Sequence, residues 1–178
     1  MPFNRDDPQV LRREQQWQEE VTVRLPALLG ELLESPVFGL APDRELPPKA
    51  YGVYLLSDRG RPCYVGRVGL TDRSRRAGKQ FSNFQTRLKG HAAPRHESGT
   101  YAYARAVRTL QRRGVELLGT RKENCADPEF MDEFRRQCER VRGMGCQVVE
   151  IADNRLSAVF EIYAAAALGL HNQTFAVS

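Results

Sequence analysis

The sequence predicts a small α/β (α+β) fold. Three mostly antiparallel strands form a central sheet flanked by helices, and a helical arm precedes it. Three observations carry that expectation. Two β-rich runs, Tyr51–Leu56 and Cys63–Val68, flank the turn-rich hexapeptide Ser57-Asp58-Arg59-Gly60-Arg61-Pro62, which is the pattern of a hairpin. A third apolar run, Cys146–Ile151, reads as a buried strand. Around these runs, apolar residues recur at helical spacing beside capping residues.

Taken in order, residues 8–34 read as helix broken once. Val10, Leu11, Trp17 and Val21 form a loose apolar stripe, and Pro26 then opens a short helix through Leu28, Leu29, Leu32 and Leu33. Ser35–Lys49 holds Pro36, Pro42, Pro47 and Pro48 and reads as a linker. Residues 1–46 are therefore taken as arm and linker, and 47–178 as the domain, with inserts at about 67–83 and 95–145. After the hairpin, 69–79 is polar, basic and loop-like. Gln80–Ala92 is a helix with Phe81, Phe84 and Leu88 at i, i+3 and i+7. Tyr101–Arg113 is a second helix, stopped by Gly114, and Asp127-Pro128-Glu129 opens a third over 127–142. Asp153 or Asn154 caps a final helix that runs to Leu168 and ends at Gly169.

Composition bounds the function. At 178 residues, 41% hydrophobic and 28% charged, the chain has ordinary globular content rather than that of a coiled coil or a disordered tail. No run of 18 apolar residues predicts a membrane span, and the N-terminus lacks a secretory pattern, so a cytoplasmic location is expected. The four cysteines, Cys63, Cys125, Cys138 and Cys146, form no Cys-x-x-Cys pair, and three histidines supply no zinc spacing. Net charge is +5, yet residues 67–95 alone carry +7, from Arg67, Arg73, Arg75, Arg76, Lys79, Arg87, Lys89 and Arg95 against Asp72. Such a patch attracts a polyanion, nucleic acid first; a merely solvated face has the same composition.

Three clusters bear chemistry. Glu161 is the one charged residue between Leu156 and Leu170, and the apolar surroundings predict a buried carboxylate that must pair with an arginine or bind a metal. Arg87 and His91, four apart on the Gln80–Ala92 helix, share a face at the edge of its apolar stripe. Gly52-Val53-Tyr54 and Tyr64-Val65-Gly66 put one tyrosine on each hairpin strand beside a glycine, a residue that in strands marks close backbone approach.

In that order, together with Asn172, these elements resemble the GIY-YIG nuclease superfamily. Val53 and Val65 stand for isoleucines, and the longer segment before Arg87 and the large later insert look like the restriction-endonuclease branch. The resemblance implies a metal-dependent DNA endonuclease that hydrolyses phosphodiester bonds at a single-metal site. Glu161 would hold Mg²⁺, with Mn²⁺ as a substitute, and Arg87 would grip the scissile phosphate. Tyr64 would orient or deprotonate the attacking water with Tyr54 beside it, His91 would assist proton transfer, and Asn172 would position the segment after the helix. Arg67 would lower the Tyr64 pKa by its field. Arg67, Arg73, Arg75, Arg76, Lys79, Lys89 and Arg95 would contact the DNA backbone. The same residues would serve on RNA, and a non-catalytic nucleic-acid-binding module of this fold is the alternative. Cutting two strands requires two sites, which a homodimer would supply. The expected partners include no membrane.

Overall fold

In the computed structural model, which describes residues 8–41, 45–69, 83–95, 98–117 and 119–170, the hairpin is the centre of the architecture. Strands β2 (Gly52–Asp58) and β3 (Arg61–Val68) run through most of the turn-rich hexapeptide, leaving Arg59-Gly60 as the turn. Both turn residues take positive φ, 53° and 76°. β4 (Gly145–Glu150) pairs with the other side of β2. The expected three strands are in fact four, because the two-residue β1 (Phe38–Gly39) pairs with Cys146 and Gly145. It lies in the proline-rich stretch, where so short a strand leaves no alternation to read. The order is β1-β4-β2-β3 and every pairing is antiparallel.

Alternation along the strands divides the core in two. Tyr54, Leu56, Tyr64, Val68, Cys146 and Val148 face one side, where α3 (Phe84–His91), α4 (Thr100–Arg112) and α6 (Pro128–Arg142) cover them. Val53, Leu55, Val65 and Val149 face the other, beneath α2 (Leu25–Glu34) and α7 (Asn154–Ala167). Caps set the helix starts: Asn83 accepts from the Thr86 N–H, Asp127 from Phe130, and Asp153 from Arg155 and Leu156.

The arm is partly core. Leu25 and Leu32 are buried, and the Gln147 amide donates to the Leu33 and Ser35 carbonyls at 2.6 and 3.1 Å, fastening α2 to β4. The break predicted near Pro26 is a π-helical turn over Glu20–Arg24, between α1 (Pro8–Glu19) and α2. Proline has no N–H to give to the preceding turn, and the Leu25 N–H reaches five residues back to the Glu20 carbonyl. A short α5 (Arg121–Asn124) also appears, under a capping box of Thr120 and Glu123. The expectation that α7 is buried all round is corrected: Ile162 is 55% exposed, because the helix presents only one side to the sheet. No helix among the described residues is long and apolar enough to cross a membrane.

Candidate active site

β3 is one of the two edge strands of the sheet among the described residues, and the candidate groups lie against it on both faces. On the first face, Tyr54, Tyr64 and His91 form a triangle of rings with centroids 6.1, 5.6 and 5.5 Å apart. The Tyr54 hydroxyl and His91 Nε2 share a hydrogen bond of 2.5 Å. Arg87, one turn before His91 on α3, brings its guanidinium charge close to both phenols.

The glycines make this possible. A Cβ on Gly66 would lie 2.7 Å from Tyr64 Cε1 and closer still to the Tyr54 hydroxyl, so only glycine lets the phenol lie flat on β3. Gly52, at φ 146°, passes against the backbone of β4 with no room for a side chain. Tyr101 of α4 backs Tyr64 from outside, with centroids 5.1 Å apart.

Glu161 comes from the second face. Its carboxylate takes an ion pair from Arg67 Nε at 3.1 Å, with the side chain 15% exposed. Arg67 follows the odd-numbered face of β3 and so meets Glu161 rather than Tyr64. This corrects the expectation that Arg67 tunes the phenol: the cation that acts on both tyrosines is Arg87. Glu161 is nonetheless coupled electrostatically to Tyr64 and Arg87 across this edge strand.

Burial dominates the protonation states. It pushes Tyr54 well above the usual phenol value and raises Tyr64, with Arg87 opposing both shifts. His91, expected at the core edge, is 1% exposed because α4 closes over α3; burial, then the Arg87 charge, lower its pKa to about 3. The imidazole is therefore neutral, and its Nδ1 and the Arg87 Nε are buried without a hydrogen-bond partner. Both residues line an open cavity of about 130 Å³, with Thr86, Gly90, Ser98 and Gly99. Phenol proximity holds Arg87 charged. Burial raises Glu161 as well, and Arg67 only partly offsets it.

No group of three or more His, Cys, Asp or Glu side chains fit to hold a metal occurs among the described residues. A hard divalent ion that keeps several waters needs only one or two carboxylates. Glu161 is a single carboxylate whose one ion-pair partner among the described residues is Arg67.

Of the other candidates, Lys89 and Arg95 are exposed around α3. Arg73, Arg75, Arg76, Lys79 and Asn172 lie outside the described residues, as do His96 and His171. A second basic cluster escaped the sequence reading: Arg59, Arg61, Arg105 and Arg140 line a groove at the hairpin tip. Its signal was the Arg59-Gly60-Arg61 turn, read only as a hairpin feature. No protein-family model, no curated protein and no solved structure matches the chain.

Proposed function

We propose that the protein is a metal-dependent endonuclease that hydrolyses phosphodiester bonds in DNA. One observation supports the reading: Tyr54, Tyr64, Arg87 and His91, from three elements, gather on one face of β3, where Arg87 and His91 line a small cavity, and Glu161 reaches the same strand from the other face through Arg67.

Glu161 would hold Mg²⁺, with Mn²⁺ as a substitute, supplying Lewis-acid polarisation of phosphate oxygens when bound. Arg87 stays charged and its Nε has no hydrogen-bond partner, so it would be able to fork onto a phosphate. Tyr64, 9% exposed, is the phenol that a water can reach, whereas Tyr54 is sealed. With its pKa raised, Tyr64 orients the water as a neutral phenol; a standing phenolate is disfavoured. His91 is too weak a base to store a proton near neutrality and instead holds Tyr54 in place.

The test is incubation with supercoiled plasmid and with linear RNA, in Mg²⁺ or chelator. Plasmid nicking should require the metal. Glu161→Gln and Arg87→Ala should each slow it by roughly 10²–10³-fold or more while leaving DNA affinity largely intact. Wild-type rates in both variants would discard the reading, and cleavage of RNA alone would move the substrate to RNA.

A further inference from the structure

At the tip of the hairpin lies an open groove of about 820 Å³ lined by Asp58, Arg59, Arg61, Cys63, Arg105 and Arg140. Asp58 is its one acidic lining residue. It is already claimed: Arg140 binds it through Nε and Nη2, at 3.1 and 2.6 Å, which holds the carboxyl below its ordinary value. Three guanidinium charges remain in the lining beyond that pair.

The placement of these arginines is built. Arg105 Nε donates to Gln137 Oε1 at 2.8 Å, and Gln137 in turn donates to the buried Glu133 at 2.7 Å. Arg105 also donates to the Tyr101 hydroxyl, the same Tyr101 that backs Tyr64. A chain of contacts thus runs from the groove to the ring triangle. Arg61 and Cys63 stand on β3, the strand that carries Tyr64 and Arg67.

On the reading of the protein as a nuclease, we infer that this groove is a second phosphate-backbone site. It would hold the same nucleic-acid strand beyond the bond to be cut. Strand rise sets the reach. Six residues from Arg61 to Arg67 span roughly 20 Å at 3.3–3.4 Å each, or about six nucleotides at 3.4 Å of duplex axis. The groove offers guanidinium groups, which suit phosphate oxygens.

The experiment uses the full chain carrying Glu161→Gln, so that binding is read without cleavage. A random-sequence duplex several helical turns long is titrated over a range of salt. Arg59→Asn, which keeps a residue tolerant of positive φ, is combined with Arg61→Gln. Loss of two phosphate contacts should flatten the slope of log affinity against log salt by about 1.8 and weaken binding by roughly 10–100-fold at 0.1 M salt. Independently, the duplex should slow alkylation of Cys63, but not of Cys125, as mapped on peptides of the unsubstituted chain. An unchanged slope with unprotected Cys63, while the plasmid is still nicked, overturns the groove and leaves the nuclease reading standing. Absence of both nicking and duplex binding overturns both.

Discussion

Glu133 and Glu161 are both carboxylates on helices that cover the sheet, and the fold treats them in opposite ways. Glu133, with its side chain 3% exposed, accepts from Gln137 on one oxygen and faces Arg136 and Arg113 with the other, at 3.1 and 3.4 Å. Its charge is met from several sides. Glu161 has Arg67 at 3.1 Å and the more remote field of Arg87, and burial still raises its pKa. A saturated carboxylate holds helices together. An incompletely compensated one would, on the nuclease reading, share its oxygens between Arg67 and a cation.

The largest effect should separate the two by stability. Glu133→Ala strands the Gln137 amide and should cost about 2–3 kcal/mol in chemical denaturation. Glu161→Gln should leave the denaturation midpoint unchanged or slightly higher, since it removes a charge that burial disfavours. Equal losses would make the two carboxylates the same kind of group. A smaller effect sharpens the contrast through pH. Burial raises Glu161 and the Arg67 guanidinium pulls it back, so Arg67→Ala should move the acid limb of the nicking profile to higher pH. A limb that stays put would mean that Glu161 does not govern it. The smallest effect concerns redundancy: Arg136→Ala should cost less than about 1 kcal/mol, because Arg113 still faces Glu133 and both arginines are largely exposed.

Much of this was legible in the chain. The hairpin, β4 and the four long helices after the linker follow from alternation, periodicity and the Asp127 and Asp153 caps. β1 was not, because two residues carry no period. The π-helical turn was not, because a single wider turn shifts an apolar stripe too little to detect. Among the candidate residues singled out by type and spacing, Tyr54, Tyr64 and His91 touch one another, while Glu161 reaches β3 from the other face through Arg67. Their environment was hidden: the burial of His91 depends on α4, contributed by a segment read as an insert. Arg67 was assigned to the wrong partner because its distance from Tyr64 was counted along the chain. In a strand, a separation of three residues reverses the face. The Thr120 and Glu123 spacing is itself the capping-box signature that opens α5.

The β3 edge has one more consequence. An exposed β-edge invites a neighbouring molecule to add its own strand, a common route to aggregation. β3 answers with Pro62, which offers no amide hydrogen to such a visitor, and with Arg61 and Arg67, which would confront their own copies as like charges. The Arg61 charge that would welcome a polyanion therefore also opposes strand addition at this edge.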